Sequence, residues 1–198
     1  MNSMPKILIT GAPESGKTDL IQAIVETVVG IEAAGVKPAG ILSLLRKDKK
    51  GKPELVLKAM DGREVIFATY GKGRGNRVGK FQVEPDAFEE LALDALSFKA
   101  DKNLYVIDEI GPMQTMSRIF SETAKMLLKK SGVAVIASVS KQGRGFIREV
   151  KRMPGLDTHE VTEANFDELL ETLSKKLLTA FADRVSEEDE NAEKLIIE

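Results

Sequence analysis

The chain has 198 residues, enough for one compact domain with a sizeable core. Its 42% apolar and 30% charged residues are ordinary for a soluble globular protein, and a net charge of −2 gives no overall pull toward nucleic acid or an anionic membrane. With no cysteine and one histidine, a disulfide framework, a thiolate nucleophile, a cysteine zinc site and a histidine-built metal centre are excluded.

Taken in chain order, Lys6 to Thr10 is a short apolar run with β-branched residues, too short for a signal h-region or a membrane span. A glycine-rich loop follows, and then Leu20, Ile21, Ile24, Val25 and Val28 recur at helical spacing, so the stretch reads strand, loop, helix. Residues 36–40 mark a turn. From Ile41 to Ala68, apolar stretches alternate with turn signals, above all Asp61-Gly62, which predicts antiparallel hairpins. After the Gly and Arg-rich loop 71–75, residues 77–83 read as a further strand.

Pro85 and Asp86 suit a helix start, and Phe88, Leu91, Ala92, Ala95 and Leu96 carry its periodicity. Leu104-Tyr105-Val106-Ile107 is a continuous apolar strand of the kind covered on both faces, and it ends in Asp108-Glu109. Residues 117–130 predict a helix closed by Gly132, residues 133–139 a buried strand, and residues 144–153 a short helix. A last strand near the lone His159, read as structural, leads to Asn165 as an N-cap. The long amphipathic helix that follows ends near Ala182. Residues 186–191 read as an acidic, solvated tail, with Leu195-Ile196-Ile197 able to dock as an edge strand.

The first chemical signal is Gly11-Ala12-Pro13-Glu14-Ser15-Gly16-Lys17-Thr18, a full G-x-x-x-x-G-K-[ST] match between a strand and a helix. This is a Walker A, or P-loop, nucleotide-binding pattern. Its glycines let backbone N–H groups wrap phosphate at the positive end of the helix, Lys17 reaches the β and γ phosphates, and the Thr18 hydroxyl supplies an oxygen to Mg²⁺. Ala12, Pro13, Glu14 and Ser15 serve mainly as backbone.

The second signal is the acidic strand end, which reads as a Walker B motif. Asp108 would hold Mg²⁺ and Glu109 would orient and deprotonate water. An acid in that place favours hydrolysis over transfer to an acceptor. A third cluster, Lys72, Arg74, Arg77 and Lys80 among glycines, could close over phosphates or supply an arginine finger, or it could be a solvated turn. Residues 138–142 occupy a position suited to a sensor or base contact, and they do not form an N-K-x-D guanine-reading motif.

Four stretches together give a family resemblance: Gly11 to Thr18, Asn76-Arg77-Val78-Gly79-Lys80-Phe81, Val106-Ile107-Asp108-Glu109-Ile110-Gly111, and Phe146-Ile147 with Val150-Lys151-Arg152-Met153-Pro154-Gly155. In order and spacing they resemble the nucleoside-triphosphatase family of P-loop NTPases sometimes called thermostable or cancer-related NTPases, from about Lys6 to Leu173. The resemblance implies a RecA-like fold and Mg²⁺-dependent hydrolysis of several nucleoside triphosphates to diphosphate and phosphate. That family often continues D-E-I-G-K-M-E, whereas this chain has Pro112 and Gln114 there, so no role at those two positions carries over. Ser140 stands near the place where the family often has a histidine.

The expected fold is therefore α/β, with a mainly parallel core sheet, helices on both faces and an antiparallel hairpin insertion. Residues 1–182 form one P-loop NTPase domain and 183–198 an acidic tail. The expected protein is cytoplasmic and binds nucleoside triphosphate and Mg²⁺, with no membrane or nucleic-acid partner. The alternatives are a nucleotide or small-molecule kinase, with the basic loop as a lid, and an NTP-regulated binding module.

Overall fold

Ile7, Leu8 and Ile9 are all fully buried, yet they pack into two different clusters, Ile7 and Ile9 on one side of the sheet and Leu8 on the other. A strand with helices over both faces needs this continuous apolar run, because alternate side chains point in opposite directions and neither face meets water. The computed structural model describes residues 4–71 and 76–197, with side chains through 186.

Nine strands make one sheet: β1 (Lys6–Gly11), β2 (Pro38–Lys47), β3 (Pro53–Ala59), β4 (Glu64–Tyr70), β5 (Arg77–Val78), β6 (Phe81–Val83), β7 (Leu104–Ile110), β8 (Ala134–Ser140) and β9 (Asp157–Glu160). Their order is β5-β6-β4-β3-β2-β7-β8-β1-β9. From β2 through β9 the pairs are parallel, and from β2 through β5 they are antiparallel. The expected insertion thus extends the parallel core edge to edge, with β2 belonging to both parts.

The helices are α1 (Lys17–Val29), α2 (Pro85–Leu96), α3 (Arg118–Lys129), α4 (Phe146–Lys151) and α5 (Phe166–Ile197). α1 and α5 cover one face through Leu20, Ile24, Val28, Leu173 and Phe181. α2, α3 and α4 cover the other, where the Phe88 ring sits 5.5 Å from Phe67 and 5.1 Å from Phe120. Ser117 caps α3 by accepting from Phe120 N at 3.0 Å. No helix among the described residues is long and apolar enough to cross a membrane.

Several boundaries differ from expectation. β2 begins at Pro38, inside the expected turn, because Gly40 adopts φ 119°. At that position any Cβ would lie 2.0 Å from the Val106 carbonyl oxygen. Residues 77–83 form two short strands around Gly79 rather than one. Asn165 folds its side chain back onto Thr162 N at 2.8 Å, so Thr162 caps the turn that precedes α5. α5 continues to Ile197, past the expected stop near Ala182, and Leu195 to Ile197 are helical rather than an edge strand.

Lys6 closes the carboxyl end of α3. Its Nζ donates to the carbonyls of Leu127, Lys130 and Val133 at 3.1, 2.8 and 2.7 Å. Burial, reinforced by repulsion from Lys130, pulls its pKa from the ordinary 10.5 down to about 8. Between those two values the unfolded chain holds more protons than the folded one, so this group's contribution to stability rises with pH across the window. Urea titrations of wild type and Lys6→Met from pH 8 to 10.5 are expected to show the variant losing this upward component; parallel curves would refute it.

Candidate active site

The glycine-rich loop leaves β1 and turns into α1 at Gly16, whose φ of 82° is left-handed and suits glycine. The first-turn N–H groups of α1 lack intrahelical acceptors and face the loop with the positive end of the helix behind them. Lys17 lies back across the loop, its Nζ donating to Ala12 O at 2.9 Å and Gly11 O at 3.5 Å. Carbonyls thus hold the ammonium within the loop.

Two strands away in the sheet, with β8 between, β7 delivers the acidic pair. The step from Ile107 to Ile110 spans one residue more than the facing step from Ala137 to Val139, so the acids occupy a bulge. Bulges re-aim side chains next to functional sites. Asp108 is 1% exposed. Its Oδ2 accepts from Thr18 Oγ1 at 2.8 Å and from Ser43 N at 3.3 Å, and its Oδ1 accepts from Ser138 Oγ. Ser43 Oγ donates to the Asp108 carbonyl at 2.7 Å. Glu109 is partly buried and accepts from Ser140 Oγ at 3.2 Å.

Burial pushes the Asp108 carboxyl above the ordinary range, against the pull of its three donors and Lys17. Burial raises Glu109 too, with Asp108 repelling its charge, while Lys17 and Ser140 pull it back. Two carboxyls held close at the end of a buried strand therefore call for a cation, and Lys17 is the nearby one. Lys17, Thr18, Glu109, Ser43, Leu45 and Leu55 are among the walls of a cleft of about 470 Å³. A larger cavity of about 860 Å³ opens beside Lys6 and Asp157, at the opposite ends of β1 and β9, away from this chemistry.

The structure thus brings together the loop 11–18, Asp108 and Glu109, three elements of the expected site. Lys72 and Arg74 lie outside the described residues. Arg77 and Lys80 are exposed at the β5–β6 edge and do not line the cleft; Arg77 Nη2 donates to Gly79 O at 3.3 Å. β6 is six and β5 seven inter-strand steps from β1, roughly 29–34 Å across a flat sheet. Sequence reasoning missed Ser43 and had noted Gln114 only as a departure from a pattern. Ser43 had one available signal, a lone polar residue within the apolar run 41–45.

These features define a mixed α/β protein in which a glycine-rich loop and an acidic strand end meet at one cleft. A family model described as NTPase matches residues 6–174, and the chain belongs to that family of enzymes. It is 30% identical over 175 residues to nucleoside-triphosphatase THEP1 of Aquifex aeolicus, covering 85% of this chain and 96% of the relative. The THEP1 of Thermotoga petrophila is 31% identical over 172 residues, covering 85% and 90%. The crystal structure of THEP1 from Aquifex aeolicus superposes with a TM-score of 0.71 at 28% identity, covering 85% of this chain and 96% of that one.

Gly11 allows the loop to pass close to its surroundings. A Cβ there would lie 2.9 Å from the Val161 carbonyl oxygen and 2.4 Å from Ser15 Oγ. Gly11→Ala is therefore expected to destabilise the fold by about 1–3 kcal/mol, as overpacking does, and to weaken nucleotide binding. A wild-type melting temperature and unchanged nucleotide affinity in this variant would contradict the contact.

Proposed function

We propose that the enzyme hydrolyses nucleoside triphosphates, ATP and GTP among them, to diphosphate and phosphate with Mg²⁺, using a RecA-like P-loop site in a single domain spanning residues 1–182. The observation that carries this reading is the direct 2.8 Å hydrogen bond from Thr18 to Asp108, with Glu109 the next residue along β7. It ties the end of the phosphate loop to the acidic strand.

The donors at this junction are all oxygen, namely the Thr18 hydroxyl and the Asp108 carboxylate, which suits a hard cation. Among the described residues, no group of three or more His, Cys, Asp or Glu side chains is placed to hold a metal ion by itself. Mg²⁺ keeps waters and substrate phosphate oxygens among its ligands instead of demanding an all-protein cage. Thr18 and Asp108 would hold it. When bound, it neutralises charge on the β and γ phosphates.

The loop amides from Gly11 to Thr18 bind the phosphates. Lys17 exchanges its two loop carbonyls for phosphate oxygens and stabilises the charge that develops as the bond breaks. Glu109 takes a proton from water as the water oxygen attacks the γ phosphorus. The bond from that phosphorus to the β–γ bridging oxygen breaks, and its electron pair leaves with the diphosphate. Partial burial and the neighbouring Asp108 make Glu109 a better proton acceptor than an exposed glutamate.

A phosphate-release assay over an NTP panel, with and without nucleoside monophosphate acceptors, tests the reaction class. Free phosphate without acceptor is expected; rapid product formed only with acceptor, and negligible phosphate, would make the enzyme a kinase. Glu109→Gln is expected to keep nucleotide affinity while lowering turnover by about 10²- to 10⁴-fold, the range of a general base. Full turnover in that variant removes Glu109 from the role.

A further inference from the structure

Gln114 sits in a single helical turn just after β7 and is 3% exposed. Its Nε2 donates to Ser43 Oγ at 3.2 Å, and Ser43 spends its one hydroxyl proton on the Asp108 carbonyl. Ser43 therefore has only lone pairs to offer Gln114, so the amide nitrogen must face it. Gln114 Oε1 is thereby turned the other way, where it is buried and accepts from no protein donor. Leaving such a group unpaired costs about 1–3 kcal/mol, so buried acceptors of this kind are commonly satisfied by ordered water.

What lies beside that oxygen is Glu109. A Cβ placed on Gly111 would be 2.9 Å from Gln114 Oε1 and 2.3 Å from Glu109 Oε1, so the two oxygens flank one glycine and lie within 5.2 Å of each other. One water can span that gap with two hydrogen bonds of about 2.8 Å. Both groups are acceptors, and water has two protons to give. We infer that a buried water bridges Gln114 Oε1 and the Glu109 carboxylate, making Gln114 a positioning residue that acts on hydrolysis through Glu109.

Gln114 does not line the cleft that Glu109 lines, so it acts on the reaction through its neighbours, on Glu109 by way of the water and on Ser43 by the direct hydrogen bond, and the double-mutant cycle below isolates the Glu109 route. Ser140 holds Glu109 from β8, and the bridging water holds it from the turn after β7. The two restraints limit the rotations by which the side chain could leave the attacking water. Gly111 is part of the device: a methyl group at that position would overlap the Glu109 carboxylate.

The inference rests on the hydrolase reading, and a double-mutant cycle separates the two. Gln114→Met keeps the length and removes both polar atoms. In the wild-type background it is expected to lower kcat by about 10-fold or more with KM within about 3-fold, and in the Glu109→Gln background to cost less than about 2-fold. Equal losses in both backgrounds, or no loss in the wild type, overturn the positioning role while leaving hydrolysis intact. Absence of phosphate release from wild type overturns the hydrolase reading and the inference with it. A high-resolution crystal structure of the wild type, which needs no variant to fold, is expected to show the water; the two oxygens with no water bonded to both would overturn the bridge.

Discussion

A fully buried carboxylate is tolerable only if donors surround it, and Asp108 draws its donors from three different parts of the chain. Thr18 comes from the start of α1, Ser43 from β2 and Ser138 from β8. Each sits where it does because an apolar strand or helix places it there: Ile41 and Leu42 precede Ser43, and Val135, Ile136 and Ala137 precede Ser138. The hydrophobic core thus positions the polar centre. An isolated carboxylate in that place would be strongly disfavoured, and removing donors from it costs more than the bonds themselves contribute.

The same arrangement explains how the cleft keeps two acids close together. The extra residue on β7 opposite β8 breaks the strict alternation of the strand, so Asp108 turns inward to the three hydroxyl and amide donors while Glu109 reaches the cleft. The roles proposed for the two acids follow their surroundings. Asp108, wholly buried and ringed by donors, suits a fixed ligand; Glu109, partly exposed and held by one serine, suits a group that exchanges a proton.

Much of this was readable from local sequence. The strand, loop and helix from Lys6 to Val29, the Asp61-Gly62 hairpin, the α2 and α3 periodicities and the Asp108-Glu109 strand end all depend on neighbours within a few residues. Pro38 to Gly40 misled because Pro and Gly signal turns, while here glycine serves the close approach of β2 to Val106. The end of α5 misled for a related reason: acidic composition says little against a helix already begun. Ser43 and Gln114 were opaque because their partners, Asp108 and Ser43, lie 65 and 71 residues away, and only sheet order brings them into reach.

β2 is paired with β7 through Pro38 to Ile41 and with β3 from Ile41 to Lys47, so one strand is welded to both halves of the sheet. Ser43 lies just beyond the changeover. Its N–H to Asp108, at 3.3 Å, is longer than the 2.8 Å bond from Thr18 and so the weaker of the two. β2 therefore ties the hairpins to the polar centre: the strand that pairs with β3 also carries Ser43, a donor to Asp108. The antiparallel half and the carboxylate thus share one strand, and a substitution that shifts the register of β2 against β3 would displace a donor from Asp108.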